Sequence, residues 1–501
     1  MTRARRLLTC VSVSYVRFAI TGACSLVAVP VYLHFLGKEE YGLWLAVLSV
    51  LVPLSLMSIG FPTISQNLLA EARAVGDWDH ASRVLVTSFV SLLAAAVAAC
   101  LLMLLGLRVG VVQELLKASP SLRTEVVPAL LITLAGFAFS QPLQVFRLAF
   151  RAFERVDLEQ YGLAALAVIN LFLTVLVLWA GQGIIGVALV YAILQLASGA
   201  VFVAALIREF PQLHFSMHSF SPRLARRMIA PGFYFFVVSV SGVLMWGIDN
   251  LVISGMLGVV FVTAFAIAAR LTSMLREMLS MPFSTSGPTI TALGAEGNPA
   301  ALRRLFYFST RLALLGAVLF GIELGFFGRR FVALWAGPSV VVDPATFAAL
   351  VGILIINVLQ QPASAYLIAT TRHRTFAWLS LLEGIANLVL SCWWVSKWGV
   401  LGVALGTLLP HTLISGPYLV IVGTRMNGFT FAELWRTNLR SLIVPAVVTA
   451  TAAYFLRNFS VTWIEWAISS GLTLLVFVAA CWTTSATREV RDMVAGVLRT
   501  A

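Results

Sequence analysis

The sequence predicts an all-α membrane protein with about fourteen transmembrane helices, arranged as two parallel six-helix repeats around a central cavity and followed by two additional helices. The composition is the first indication, because 60% of the 501 residues are hydrophobic and 11% are charged, whereas a soluble domain carries roughly 25% charged residues. The second is a series of apolar runs of about 20 residues, each long enough at 1.5 Å per residue to cross a hydrocarbon core of roughly 30 Å. The third is an internal repeat at offsets of about 216 to 221 residues.

The apolar runs define fourteen predicted spans, and no connection is much longer than about 25 residues, so we expect no soluble domain on either face. In chain order the spans cover residues 12–35, 42–66, 84–106, 126–147, 160–180, 184–207, 232–256, 259–284, 305–327, 346–370, 376–396, 400–423, 442–457 and 464–484. The first span follows basic residues, as in a signal peptide, but Arg17 interrupts it and the apolar run continues to about Leu36. We therefore expect the first span to remain uncleaved.

Basic residues set the predicted orientation of these spans. With the N-terminus inside, about 22 arginines lie on the cytoplasmic side and 8 basic residues lie on the opposite side, so the positive-inside rule places both termini in the cytoplasm. The formal net charge of +13 is explained by these loops, and we expect membrane lipids but no nucleic acid as partners. The predicted location is a bacterial inner membrane, which the chain crosses many times.

Short segments of the first half recur in order in the second half. The matches are 36–37 with 257–258, 141–142 with 361–362, 170–173 with 387–390, and 183–189 with 399–405. Six helices separate the copies, and an even number gives both copies the same sense across the membrane, as in transporters that rock two bundles about a central site. We predict an N-terminal six-helix bundle over residues 1–215, a second over 216–425, and two further helices with a cytoplasmic tail over 426–501.

Charged residues inside the predicted spans are the candidates for function, because each costs about 3 kcal/mol to place there. Arg17, Arg270 and Arg276 are the expected ligands of a substrate diphosphate, since a guanidinium stays ionised and donates paired hydrogen bonds to phosphate. Asp249 and Glu383 are the expected sites for a coupling proton or sodium ion. Alternatively, Asp249 and Arg270 form only a structural pair between neighbouring helices. The other charges inside spans are Glu277, Arg311 and Glu323.

Other chemistry has little support. The sequence contains no P-loop, no Gly-x-Ser-x-Gly nucleophile elbow and no His/Cys metal spacing, so we predict no enzyme activity, no cofactor and no metal site. Five scattered cysteines, mostly within apolar runs, are typical of small packing residues. His411 follows Pro410 within a span and is expected to be a packed, hydrogen-bonded histidine.

The segment LGKEEYGLW at 36–44 resembles the Leu-Gly-x-x-x-Tyr-Gly signature at the first hairpin of Wzx-type polysaccharide flippases. Further similarities lie at 76–77, 249–251, 257–258, 266–271 and 399–404, and the resemblance covers roughly residues 10–425. It implies the fold of the multidrug/oligosaccharidyl-lipid/polysaccharide exporter superfamily, with two six-helix bundles around a central cavity. It also implies the movement of an undecaprenyl-diphosphate-linked oligosaccharide across a bacterial plasma membrane. Related lipid II flippases bind the diphosphate with cavity arginines, and Arg17 and Arg270 lie in the comparable first and eighth helices.

The predicted function is therefore a flippase for lipid-linked saccharide repeat units that works by alternating access, with a polysaccharide polymerase as a candidate partner. A drug/cation antiporter of the same superfamily is the first alternative, although a cavity with arginines repels organic cations. A membrane-embedded polysaccharide polymerase or ligase is the second, although the large outer loop usual for such enzymes is missing. A non-transporting scaffold is the third, and charges inside the membrane disfavour it.

Overall fold

The computed structural model describes residues 3–58, 60–118, 122–286, 290–291, 293, 297–369 and 374–484. These residues are almost entirely helical, and none of them lies in a strand. The α-helices described up to residue 285 are α1 Arg3–Leu54, α2 Phe61–Val75, α3 Trp78–Val109, α4 Val111–Leu115, α5 Arg123–Ala152, α6 Val156–Trp179, α7 Gly183–Glu209, α8 Pro222–Trp246, α9 Asp249–Met256 and α10 Val259–Thr285. The α-helices that follow are α11 Pro299–Glu323, α12 Arg329–Ala336, α13 Pro344–Ala369, α14 Arg374–Trp398, α15 Val400–Pro410, α16 Gly416–Met426, α17 Phe431–Leu434, α18 Arg440–Leu456 and α19 Trp463–Thr483.

Twelve of the described helices are long and apolar enough to cross a membrane, or thirteen if one bent pair is counted as a span. The all-helical prediction is confirmed, and the smaller number has a local cause. The first predicted span and most of the second fall within one helical run, Ser12–Ser58, of 47 residues, and the end of the second span lies in α2. A straight helix of that length would extend about 70 Å, more than twice the hydrocarbon thickness. Gly37 interrupts the helix with φ 71° and ψ −173°, a conformation that glycine adopts without steric cost.

The predicted span at 232–256 is the bent pair. Its two helical pieces, Phe236–Trp246 and Asp249–Met256, meet at an angle of 45°. Asp249 is the first residue of the second piece, so one of the predicted charged residues lies directly at a break in a membrane helix.

Side-chain caps fix several helix ends. The helix α2 ends at Gly76, which has φ 75°, and Asp77 then accepts a hydrogen bond from the His80 amide at 2.8 Å to begin α3. Thr462 and Glu465 form a reciprocal capping box at the start of α19. Such caps satisfy backbone donors that a helix N-terminus otherwise leaves without partners.

Packing divides the chain into two compact units, Met1–Thr263 and Ala264–Ala501, here called the first and second unit. The helices α8 and α9 pack against α1 to α4 and so belong to the first unit. The division into bundles at 215 and 425 stays a prediction from the internal repeat. The core of the first unit includes Phe150, Phe153 and Phe202, and that of the second includes Phe306 and Tyr366.

Candidate functional site: a polar cavity in the first unit

A cavity of about 610 Å³ lies between α5, α6 and α7. One face of each helix lines it, because its lining positions recur at intervals of three and four residues. Eight of the lining side chains are polar: Ser140, Gln141, Gln144 and Arg147 of α5, Asn170 of α6, and Tyr191, Gln195 and Ser198 of α7. Arg147 is the one charged member of this lining, and no carboxylate contributes to it in the part of the chain that the structure describes.

Two glycines allow α5 and α7 to approach closely beside this cavity. A Cβ atom placed on Gly136 would lie 2.5 Å from the Cα atom of Ala192, and one placed on Gly199 would lie 2.2 Å from Cδ1 of Leu143. Distances this short are incompatible with van der Waals packing. The two glycines therefore determine how close the walls of the cavity lie.

Hydrogen bonds along α5 and α7 hold the three cavity glutamines in place. Gln144 Nε2 donates to Gln141 Oε1 at 2.8 Å, and Gln195 Nε2 donates to the Tyr191 hydroxyl at 3.1 Å. A carboxamide has two N–H donors and two acceptor lone pairs. Because each bond uses only one of these, the fixed amides retain capacity to bind a ligand.

A buried ion cluster lies at the Arg147 end of the cavity. Glu159 of α6 is fully buried, and its two carboxylate oxygens pair with Arg147 Nη1 at 2.6 Å and with Arg151 Nε at 2.5 Å. Two guanidiniums against one carboxylate leave a formal charge of +1. The side chains of Arg147 and Arg151 are 26% and 41% exposed, so the arginines are partly hydrated while the carboxylate is not.

The first unit also contains Arg17 and Asp249. Arg17 is half-buried in α1, and its Nε atom is buried without a hydrogen-bond partner among the described residues. Asp249 is half-buried at the start of α9. Within the described ranges no hydrogen bond or ion pair joins the two side chains, and neither lines the cavity.

The second unit contains Arg270, Arg276 and Glu383. Arg270 is exposed and Arg276 is half-buried on α10. Glu383 of α14 is 1% exposed, and its Oε1 atom lies 2.5 Å from His411 Nδ1. His411 is therefore a packed, hydrogen-bonded histidine, as the sequence predicts, and its carboxylate partner is a residue that sequence analysis assigned to ion coupling.

A π-helical turn begins at His411 and ends at Ser415, immediately after α15. The turn is braced from α13, because Gln360 Nε2 donates to the His411 carbonyl at 3.0 Å. Such turns interrupt regular α-helical hydrogen bonding and occur often at functional sites.

The internal repeat relates this buried cluster to the cavity of the first unit. At offsets of 216 to 220 residues, four cavity-lining positions correspond to positions of the second unit: Gln141 to Gln361, Leu166 to Glu383, Asn170 to Asn387, and Gln195 to His411. In the second unit Asn387 is 1% exposed and its side-chain oxygen accepts hydrogen bonds from Ser391 and Thr407. In the first unit this location borders an open cavity, whereas Asn387 at the equivalent position of the second unit is buried and hydrogen-bonded to neighbouring side chains.

The charged residues inside the predicted spans do not point to this cavity, because seven of its eight polar side chains are neutral amides and hydroxyls. A usable signal was present, since Gln141, Gln144, Gln195 and Ser198 follow helical spacing within otherwise apolar runs.

The comparisons with known proteins agree on family and fold. The family model described as "Polysaccharide biosynthesis protein" matches residues 11–293. The solved structure of the lipid II flippase MurJ in an inward closed conformation is 13% identical, with a TM-score of 0.73 over 97% of this chain and 100% of that chain. An inward-facing multidrug resistance MATE family transporter of the MOP superfamily is 16% identical, with a TM-score of 0.66 over 85% and 99%.

A MOP superfamily transporter from Pyrococcus furiosus, whose binding pocket is described as having reverse polarity, is 14% identical, with a TM-score of 0.59 over 84% of this chain and 95% of that chain. No curated protein matches the sequence. At these identities the solved structures establish the fold, which is that of the MOP superfamily transporters, as the sequence resemblance implies.

Proposed function

The chain belongs to the polysaccharide biosynthesis protein family, and from this premise we propose that it moves undecaprenyl-diphosphate-linked oligosaccharide repeat units from the inner to the outer leaflet of a bacterial inner membrane. The flippase and transporter folds that it resembles support movement of a substrate across the bilayer. The proposed substrate is supported mainly by the side chains that line the cavity in the first unit. Seven neutral polar side chains and one guanidinium share this wall with apolar and aromatic side chains.

This wall suits a lipid-linked saccharide better than an organic cation. A cation taken out of water requires an opposite charge or several aligned acceptors, and the only charged side chain on the wall is the cation of Arg147. Amide and hydroxyl groups instead match the many hydroxyls of a sugar. We therefore rank the flippase above a drug/cation antiporter.

Three arginines are proposed to bind the diphosphate: Arg17, Arg270 and Arg276. A guanidinium donates from a planar fork and remains ionised in every protein environment. Support for Arg17 is local, because its buried Nε atom lacks a hydrogen-bond partner within the described residues. A bound phosphate oxygen would supply that partner. Removal of such a donor is expected to weaken substrate binding by more than a surface substitution would.

Asp249 and Glu383 are proposed to bind the coupling ion, a proton or sodium. Glu383 is supported by its burial beside His411, since a carboxylate and an imidazole in contact can share and release a proton. Asp249 is supported by its place at the 45° break of its span.

The test is deletion of the gene followed by complementation. We expect cells without the protein to accumulate lipid-linked repeat units on the inner leaflet and to lose the corresponding surface polysaccharide, which mass spectrometry would identify. Wild-type protein should restore the polymer, Arg17→Ala should not, and Arg17→Lys should restore it partly because the charge is kept without the fork. Normal surface polysaccharide in the deletion strain, with no accumulated lipid, would refute the proposal.

A further inference from the structure

We propose that the cavity between α5, α6 and α7 is the subsite that binds the saccharide part of the substrate, separately from the arginines that bind the diphosphate. This inference rests on the proposed function and goes beyond it by assigning a position and a set of side chains to sugar recognition. Nothing in the family match or the structural likeness specifies this cavity.

The polar side chains of the wall indicate a polar ligand. Seven neutral polar side chains and Arg147 face the cavity, although all three helices are long and apolar enough to cross a membrane. Polar groups turned toward hydrocarbon without partners cost several kcal/mol each. The cavity is therefore suited to water or a polar ligand, and a lipid chain would leave these groups without hydrogen bonds.

The charge and hydrogen-bonding groups of the wall favour a saccharide over other polar ligands. Arg147 is the only charged side chain among the described residues of this wall and is already paired with Glu159 at 2.6 Å, so a phosphate here would compete with a carboxylate for it. Gln144, Gln195 and Asn170 each offer both donors and acceptors, which is what a sugar hydroxyl requires because it is itself both. Phe137, Tyr191 and Phe202 also line the cavity, and their flat apolar faces can pack against the C–H face of a sugar ring.

The size of the cavity is also suited to a saccharide. About 610 Å³ lies within the range of small-molecule sites, roughly 300–1,000 Å³. The space accommodates a fragment of an oligosaccharide rather than a single ion.

The contrast between the two units is further support. Asn387, the repeat equivalent of Asn170, is buried and accepts two side-chain hydrogen bonds. Asn170 is exposed at the cavity, and among the described residues its side chain has no hydrogen-bond partner. The first unit thus presents an asparagine with unused hydrogen-bonding capacity at the cavity, whereas the second unit satisfies the equivalent asparagine with its own side chains.

The experiment measures the contribution of the sugar to binding. Full-length protein in detergent would be titrated by native mass spectrometry with two probes: undecaprenyl diphosphate, and the undecaprenyl-diphosphate-linked oligosaccharide extracted from cells that lack the gene. The variants are Gln144→Met with Gln195→Met, and separately Asn170→Leu, because each removes amides while keeping similar volume. Gln66→Met is the matched control, since Gln66 is a half-buried glutamine of the first unit that does not line the cavity.

We expect wild type and Gln66→Met to bind the glycosylated lipid at least tenfold more tightly than undecaprenyl diphosphate. The cavity variants should lose most of this preference and bind undecaprenyl diphosphate as wild type does, because a site built for hydrogen bonding discriminates strongly through those bonds. Unfolding temperatures within a few degrees of wild type identify folded variants, and Asn170→Leu, at an exposed position, provides the result if the double variant unfolds.

Two results would overturn the inference. Cavity variants that keep the full preference would place the sugar elsewhere, while the flippase proposal would stand. Wild-type protein that binds undecaprenyl diphosphate without preference for its glycosylated form would remove the saccharide subsite but leave the diphosphate site. If wild type bound neither lipid, and deletion left surface polysaccharide intact, the proposed function itself would fail together with the subsite.

Discussion

Replacement of Glu159 by leucine is expected to destabilise the protein by about 3 kcal/mol. The buried carboxylate accepts charge-assisted hydrogen bonds from Arg147 at 2.6 Å and from Arg151 at 2.5 Å, and each such bond contributes roughly 1.5–3 kcal/mol. The sum has to be taken near its lower end, because the two arginine side chains are 26% and 41% exposed. Water can therefore hydrate the two guanidiniums in part once the carboxylate is removed, which reduces the loss of stability.

A combined variant separates the charge from the fold. If Arg147→Met and Arg151→Met are added to Glu159→Leu, the cluster becomes apolar, and most of the lost stability should return because an apolar replacement of a buried ion pair is often neutral. Sugar binding by the combined variant should be impaired even so, since it lacks Arg147, which lines the cavity. The assay is the free energy of unfolding in mixed micelles, followed by far-UV circular dichroism. A Glu159→Leu protein as stable as wild type would refute the reasoning, as would a combined variant no more stable than the single one.

Three further perturbations test other parts of the structure. Glu383→Gln should slow transport at least tenfold and flatten its pH profile if the carboxylate carries the coupling proton; an unchanged profile in proteoliposomes of varied pH would contradict this. Gly136→Ala should destabilise the protein by about 1–3 kcal/mol because backbone obstructs the added methyl group, whereas Gly471→Ala, with no atom within 4 Å, should be neutral or stabilising in the same unfolding assay. Asp343 caps α13 by accepting hydrogen bonds from Thr346; burial acts to raise its pKa, but these bonds and backbone bonds lower the pKa overall. Asp343→Ala should therefore lower the free energy of unfolding by about 1 kcal/mol at neutral pH. This stabilisation by the carboxylate is fully present above the unfolded-state pKa of about 4 and is lost as the pH falls through the lower pKa of the folded protein. Equal stability of the two proteins at pH 7 would contradict the capping role of Asp343.

The helices were predictable because hydrophobic run length is a local property. An apolar stretch of about 20 residues bounded by charged or glycine residues has few structural alternatives in a bilayer. The merged first span was harder to foresee. Gly37 gives a local break, but the sequence on both sides keeps helical propensity, so one helical run of 47 residues contains the first predicted span and most of the second.

The candidate functional residues were less predictable, for two physical reasons. Glu383 and His411 are 28 residues apart, and contact between helices depends on helix rotation, which hydropathy alone does not determine. The cavity is lined by several neutral polar residues from different helices. A single glutamine within a span gives no strong sequence signal because it carries no charge. Gln144 and Gln195 line one cavity because α5 and α7 face each other across it.

Flipping by the purified protein is the most direct measurement. Proteoliposomes would carry the fluorescently labelled undecaprenyl-diphosphate-linked oligosaccharide in both leaflets, and a membrane-impermeant glycosidase added outside would remove the accessible sugar. With wild-type protein we expect digestion to proceed from about half toward completion, and with Arg17→Ala or the Gln144→Met, Gln195→Met variant we expect it to stop near half. Digestion that stops at half with wild-type protein, as in protein-free vesicles, would contradict the assignment of this chain as a lipid-linked oligosaccharide flippase.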